Sequence, residues 1–130
     1  MNNKPTDEAL KAKLTPEQFH VLRQGGTEPP FSGRYNNFHE KGTYKCAACG
    51  QELFSSGTKF DSNTGWPSFT EPANLENIEL LPDDSYGMHR TEVRCKNCGS
   101  HLGHVFEGHS SDKKEKHYCI NSVCLDFEEQ

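Results

Sequence analysis

Two copies of the motif C-x-x-C-G constrain the possible folds of this chain more than any other feature. They occupy residues 46–50 and 95–99. Each motif forms a tight turn that presents two sulfurs to one ion, and the glycine after it tolerates a positive φ. Because tetrahedral zinc accepts four thiolates, the motifs predict a structural metal site. Its ligands would be Cys46, Cys49, Cys95 and Cys98.

Other interpretations of the two motifs stay open at this point. Iron accepts the same four thiolates, and zinc is preferred because it is redox-inert and common in structural sites. Two separate thioredoxin-like redox motifs, or simple buried thiols, are further alternatives. A redox C-x-x-C normally lies where a strand meets a helix, whereas both pairs here have strand-like flanks. Four thiolates leave no open coordination position, so the ion is expected to pin two hairpins together and not to be catalytic.

Composition limits the class of protein. The chain has 130 residues, enough for one domain, and we expect a single domain over residues 1–130. Only 32% of the residues are hydrophobic, so a metal would help to stabilise a thin core. The net charge of −5 argues against nucleic acid as a partner. No membrane segment or signal peptide is recognisable, and we therefore expect a cytoplasmic protein with reduced cysteines. Separately, we expect a monomer.

Turn residues predict a mainly β (α+β) fold with antiparallel sheets. A short N-terminal helix is predicted from the N-cap Thr15, from Pro16 and from the capping-box Gln18, and it ends at Gly25. Residues 1 to about 13 are polar, and we expect a loosely ordered start. From Tyr35 onward, turn residues separate short apolar runs. Strands are predicted near 43–46, 52–54, 78–81, 86–95, 102–106 and 117–127, with a weaker helix near 75–77.

The two cysteines outside the motifs differ in context. If 117–127 is one strand, alternation places Cys119 and Asn121 on one face and Cys124 on the other. Five extended residues span about 16 Å, farther than a disulfide permits. We interpret Cys124 as a small buried hydrophobe. Cys119 needs suitable neighbours before a function can be assigned to it.

Two further segments supply candidate neighbours. His101 and His104 follow the second cysteine pair, and a bulge at Gly103 would bring both imidazoles to one side of a strand. Trp66 lies in a loop fixed by glycine and proline, where it could form the wall of a pocket. A purely structural role for these side chains remains an alternative.

The combination of motifs resembles the methionine sulfoxide reductase B family. The matching segments are residues 26–33, both cysteine pairs, 65–69, 101–106 and 118–122. The resemblance implies a mostly β fold with N-terminal helices. It also implies repair of R-methionine sulfoxide in oxidised proteins, with thioredoxin or another thiol as the reductant.

The same resemblance assigns roles to individual residues. Cys119 would be the nucleophile that becomes a sulfenic acid, and a thiol attacking a sulfoxide also needs a proton donor for the oxygen. Trp66 would hold the methyl group of the sulfoxide. The catalytic set is Cys119, His101, His104 and Asn121, and the substrate contacts are Trp66, Phe106 and His117.

Two non-enzymatic hypotheses compete with this one. In the first, the metal turns organise the surface of a zinc-ribbon-like binding module. In the second, labile thiols serve a chaperone or a metal sensor. The enzyme and the binding module both predict the metal, but only the enzyme requires Cys119. The rivals also leave the spacing of Trp66, the histidines and Asn121 unexplained.

The first departure from the family pattern concerns recycling. Many members have a resolving cysteine two positions before the tryptophan, where this chain has Thr64. We therefore predict that no intramolecular disulfide containing Cys119 forms during turnover. Non-reducing mass spectrometry after one equivalent of substrate checks this, and a bridge between Cys119 and Cys124 would contradict it.

The second departure is His117, where the family usually has arginine. An imidazole changes charge near neutrality and a guanidinium does not, so activity should depend more strongly on pH between about pH 6 and 8. A His117→Arg variant is expected to have a flatter pH profile of kcat/KM. An unchanged profile would refute the idea.

Overall fold

A computed structural model of the chain describes residues 6–36, 38–60, 65–84, 90–107 and 116–129. These ranges contain helices α1 (Asp7–Lys13) and α2 (Pro16–Gln24). They also contain strands β1 (Gly42–Cys46), β2 (Glu52–Ser55), β3 (Lys59–Phe60), β4 (Ser68–Phe69), β5 (Ile78–Asp83), β6 (Arg90–Cys95), β7 (His101–Glu107), β8 (Lys116–Ile120) and β9 (Leu125–Glu129). The predicted mainly β fold with short N-terminal helices is confirmed. No helix in this part of the chain is long and apolar enough to cross a membrane.

Helix α2 forms as its sequence predicts. The Thr15 hydroxyl accepts from the backbone N–H of Gln18 at 3.1 Å, and the Gln18 side chain accepts from the Thr15 N–H at 3.0 Å. This reciprocal capping box satisfies donors that the first turn leaves open. Gly25 ends the helix with φ of 75°. Both ends of the helix are therefore fixed by local chemistry.

The expected loose order of the N-terminus is wrong for residues 7–13, which form α1. Thr6 caps this helix by accepting from the Ala9 N–H at 3.1 Å. Leu10 and Leu14 are 1% and 7% exposed and belong to the core. Two apolar positions are too few to give a periodic signal, and packing against the rest of the protein stabilises the short helix. Residues 1–5 lie outside the described residues.

The described strands form two antiparallel sheets. One has the order β2-β1-β9, and the other has the order β3-β4-β8-β7-β6-β5. Strands β3 and β4 were not predicted, since two residues each are too short to show alternation. The strands predicted near 43–46, 52–54, 78–81 and 102–106 are confirmed, and 75–77 forms a 3-10 turn. The predicted strand at 86–95 begins at Arg90 in the structure, and its residues 86–89 lie outside the described ranges.

The single strand predicted at 117–127 is wrong. Strand β8 ends at Ile120, a 3-10 turn covers Ser122–Cys124, and β9 starts at Leu125. The break is needed because β8 and β9 belong to different sheets. The turn is closed by the Cys124 N–H, which donates to the Asn121 carbonyl at 3.1 Å. The separation of about 16 Å predicted for Cys119 and Cys124 assumed an extended chain. The chain between them turns, so that prediction does not apply.

Aromatic side chains join the two sheets. Tyr44 of β1 meets Phe69 of β4 edge to face with ring centroids 5.2 Å apart. Phe54 of β2 stacks on the same Phe69 at 4.4 Å and lies 5.8 Å from Tyr118 of β8. All four rings are buried. Large rings in these geometries bury much apolar surface, which explains how a chain with few hydrophobic residues forms a core.

Leu10 provides a test of the contribution of α1. We expect Leu10→Ala to lower the free energy of unfolding by about 2–5 kcal/mol, because it leaves a cavity in the core. Glu8→Ala, at an exposed position of the same helix, should change it by less than about 0.5 kcal/mol. Urea unfolding followed by circular dichroism measures both. Equal effects of the two variants would show that α1 does not anchor in the core.

Candidate active site

The two C-x-x-C-G motifs form matching turns at the ends of β1 and β6. Gly50 and Gly99 have φ of 83° and 77°, as the motif predicts. In each turn the glycine N–H donates to the carbonyl of the first cysteine, at 2.8 Å from Gly50 to Cys46 and at 2.7 Å from Gly99 to Cys95. We call these turns the cysteine knuckles. Each one holds its two sulfurs on the same side of a strand end.

The knuckles bring four sulfurs together. The Sγ atoms of Cys46, Cys49, Cys95 and Cys98 all lie within 4.8 Å of one another. Sγ of Cys46 is 3.7 Å from that of Cys98, and Sγ of Cys49 is 3.5 Å from that of Cys95. Sulfurs bound at about 2.3 Å to a tetrahedral ion lie about 3.8 Å apart. The four cysteines can therefore hold one metal ion.

The two N-terminal helices contact the knuckles. Lys13 donates to the Ala48 carbonyl in the first knuckle at 3.1 Å. Arg23 donates to the Cys98 carbonyl in the second at 2.9 Å, and to the Ser100 hydroxyl at 3.1 Å. All three bonds join a basic side chain to a segment far away in sequence, so they fix the helices on the cysteine cluster.

The second knuckle leads directly into β7, which carries both histidines. Arg94 pairs with His101 and Val93 pairs with Gly103, so β7 has one extra residue between these pairs. This is the bulge predicted next to Gly103. It brings the rings of His101 and His104 to the same side, with centroids 5.6 Å apart. A regular strand would point them to opposite faces.

Strand β8 places Cys119 directly opposite His104. The two residues are Cα partners in the antiparallel pair of β7 and β8. A Cβ atom on Gly103 would lie 2.1 Å from the Cys119 carbonyl oxygen, so only glycine permits this approach. Residues paired in this way project from the same face of a sheet. Cys119 and His104 therefore face the same space.

That space is a cavity of about 110 Å³. Of the predicted site residues, Cys119, His104, Asn121, Trp66 and Phe106 contribute to its wall. The remaining lining residues are Thr27, Arg90 and Gly103. The Cys119 side chain is half-buried. The cavity thus combines a partly accessible thiol, an imidazole and apolar aromatic walls.

His101 and His117 occupy other positions. His101 lines an adjoining cleft of about 490 Å³ that shares Thr27, Arg90 and His104 with the cavity. His117 is buried, its Nε2 lies 2.7 Å from the Ser68 hydroxyl, and its ring packs against Phe60. It is absent from the residues that line the cavity. A contact between His117 and substrate therefore stays a prediction.

Glu28 is a residue of the site that sequence reasoning missed. Its backbone N–H donates to the Asn121 side chain, and its carbonyl accepts from the Trp66 indole, each at 3.0 Å. Its carboxylate accepts from the Val123 N–H at 3.0 Å. Burial raises the pKa of Glu28, and backbone hydrogen bonds counteract this. The matching segment 26–33 indicated this arm but not that Glu28 connects two walls of the cavity.

Two carboxylates beside the histidines were also missed. Oδ2 of Asp83 lies 2.8 Å from Nε2 of His104 and 3.5 Å from Nη2 of Arg90. Burial lowers the pKa of His104, although the hydrogen bond with Asp83 raises it. Oε2 of Glu92 lies 2.6 Å from Nδ1 of His101. Asp83 follows the strand predicted at 78–81 and Glu92 lies within the one predicted at 86–95, but only the pairing of β5, β6 and β7 brings them beside the histidines.

Cys124 is fully buried, as predicted. Its thiol donates to the His101 carbonyl at 3.2 Å. Burial raises the pKa of this thiol well above its usual value. A buried, protonated thiol is a poor nucleophile. Cys119 is therefore the better candidate for thiol chemistry.

The chain is similar to known proteins over nearly its whole length. Residues 14–129 match the family model described as the SelR domain. The chain is 59% identical over 122 residues to a peptide methionine sulfoxide reductase MsrB of Methanosarcina barkeri, covering 94% of this chain and 85% of the relative. The chain belongs to the methionine sulfoxide reductase B family. An MsrB of Leifsonia xyli is 55% identical over 123 residues, covering 95% of this chain and 88% of that protein.

Substitution of one cysteine of the cluster tests whether the four sulfurs bind a metal ion. We expect about one metal ion per chain, because the four sulfurs fit one tetrahedral site. Cys95→Ser should lose most of the metal and unfold at a lower temperature. Cys124→Ser, which leaves the cluster intact, should keep the metal. Elemental analysis of the purified proteins measures this, and full metal content in Cys95→Ser would contradict the proposed ligand set.

Proposed function

We propose that this chain is a peptide-methionine (R)-S-oxide reductase that repairs methionine sulfoxide in oxidised proteins. The main support is the convergence of Cys119, His104 and the aromatic walls of Trp66 and Phe106 on one small cavity. A methionine sulfoxide side chain has an apolar methyl group beside a polar S–O bond. The cavity offers apolar surface for the first and a polar imidazole for the second. The preference for the R epimer is an expectation from the family.

The reaction moves one oxygen atom from the substrate to the enzyme. The thiolate of Cys119 attacks the sulfoxide sulfur and forms an S–S bond, and the sulfoxide oxygen takes up a proton. The S–O and S–S bonds of this adduct then break as the oxygen passes to the Cys119 sulfur, and the electron pair of the S–S bond stays on the methionine sulfur. Cys119 ends as a sulfenic acid and the substrate as methionine, so the cysteine sulfur is oxidised by two electrons and the substrate sulfur is reduced by two. His104 is paired with Cys119 across the strands. It is the group that accepts the thiol proton and donates a proton to the oxygen. Asn121 and Glu28 position the walls around this step.

Recycling then needs two thiols from outside the chain. The first condenses with the sulfenic acid to form a mixed disulfide and releases water. The second breaks that disulfide and returns Cys119 to the thiol. Thioredoxin, or another dithiol, is the proposed reductant. The burial of Cys124 argues against its use as an internal resolving thiol, and Thr64 lies outside the described residues.

The metal is proposed to be zinc in a structural role. Zinc is redox-inert, and a site with four thiolates has no position for substrate. When bound, it would crosslink the two knuckles and so hold the start of β7 in place. We also propose that the chain works as one domain and as a monomer. None of these features requires the metal to enter the reaction.

Stereospecific turnover tests the proposed function. With dithiothreitol as reductant, the wild type should reduce the R epimer of dabsylated methionine sulfoxide and leave the S epimer unchanged. Cys119→Ser should reduce kcat/KM by at least about 100-fold, because a hydroxyl does not replace the thiolate. Cys124→Ser is the matched control and should retain activity. Activity in Cys119→Ser would exclude this nucleophile, and an inactive wild type would favour a binding module.

A further inference from the structure

We infer that Asp83 and Glu92 hold the two histidines in opposite tautomers. His104 would carry its proton on Nε2 and His101 on Nδ1. Both carboxylates are positioning residues, since neither lines the cavity that contains Cys119. The tautomers are inferred from hydrogen bonds, charge and burial, whereas their effect on catalysis rests on the proposed function.

The Glu92 carboxylate bonds to both His101 and Arg94. Oε2 of Glu92 lies 2.6 Å from Nδ1 of His101 and 3.0 Å from Nε of Arg94. Burial alone would raise the pKa of Glu92, but hydrogen bonds from Arg94 and His101 bring it below its usual value. An ionised carboxylate can only accept. Nδ1 of His101 must therefore be the donor.

The other nitrogen of His101 completes the assignment. Its Nε2 is buried and has no hydrogen-bond partner among the described residues. A buried N–H without a partner is costly, and a charged imidazole would have one at this position. The neutral form with the proton on Nδ1 avoids this cost. It leaves Nε2 as a buried, unprotonated nitrogen.

His104 has the reverse arrangement. Its Nε2 lies 2.8 Å from Oδ2 of Asp83, and Nη2 of Arg90 lies 3.5 Å from the same oxygen. An ionised Asp83 accepts from Nε2, so the proton of the neutral ring is on Nε2. Burial favours the neutral ring because it opposes the charge. Nδ1 is then the nitrogen that can take a proton from Cys119.

The register of the sheet places both pairs on one face. Glu92 is the Cα partner of His104, and Asp83 is the partner of Arg90 on the neighbouring strands. The bulge in β7 brings His101 onto this face as well. A single patch of β5, β6 and β7 thus supplies a base with a free Nδ1 and a second ring with a free Nε2. Because His104 lies beside Cys119 in the cavity, its unprotonated Nδ1 can accept the thiol proton and return it to the sulfoxide oxygen, without a charged imidazole at rest.

Nitrogen NMR tests the tautomers without any activity measurement. Long-range ¹H–¹⁵N spectra of the ¹⁵N-histidine protein, assigned with His101→Gln and His104→Gln, report which ring nitrogen carries hydrogen. At pH 7.5 we expect a protonated Nδ1 in His101 and a protonated Nε2 in His104. The same tautomer in both rings, or a charged ring in either, would overturn the inference.

Kinetics then test the positioning role. Glu92→Gln and Asp83→Asn should each lower kcat by at least about tenfold with KM within about twofold, because the rings lose their fixed tautomers while the cavity keeps its walls. In Glu92→Gln, the spectra should show loss of the pure Nδ1–H form of His101. Glu76→Gln, at an exposed position, is the control and should keep wild-type kcat. Unchanged kcat in both carboxamide variants would overturn the role. Failure of the proposed function would appear differently, as an inactive wild type with the predicted tautomers.

Discussion

The approach of four cysteine sulfurs within 4.8 Å is the contact on which the rest of the structure depends. It joins the end of β1, in one sheet, to the end of β6, in the other. The buried aromatic contacts, such as that of Tyr44 with Phe69, join the same two sheets by packing. Because Lys13 and Arg23 bond to the knuckles, the helices also depend on the cluster.

The cluster also determines where the reactive groups lie. The second knuckle closes the hairpin of β6 and β7, so its geometry fixes where β7 starts. His101 is the first residue of that strand. The bulge beside Gly103 then turns His101 and His104 to one side, and the missing side chain of Gly103 lets β8 bring Cys119 close. The cysteine cluster lies outside the cavity, yet it positions residues that line it. The six cysteines thus occupy three kinds of position: the cluster of four, the half-buried Cys119 at the cavity and the buried Cys124.

The sequence predicted the features that depend on local chemistry. Capping by Thr15 and Gln18, the turns at Gly50 and Gly99 and the bulge near Gly103 all follow from neighbouring residues. It failed where distant contacts decide the outcome. Helix α1 is held by the burial of Leu10, and the break after Ile120 exists because β8 and β9 belong to different sheets. Asp83, Glu92 and Glu28 were missed for the same reason, since only the register of the strands and the path of the arm bring them to the site.

The central claim is that oxygen moves from methionine sulfoxide to Cys119, and trapping of the sulfenic acid tests it most directly. Reduced enzyme would be mixed with one equivalent of an R-methionine sulfoxide peptide and dimedone, with no thiol reductant present. We expect one dimedone adduct, located at Cys119 by peptide mass spectrometry, and one equivalent of methionine product. Methionine formed without an adduct at Cys119, or with the adduct on Cys124, would contradict it.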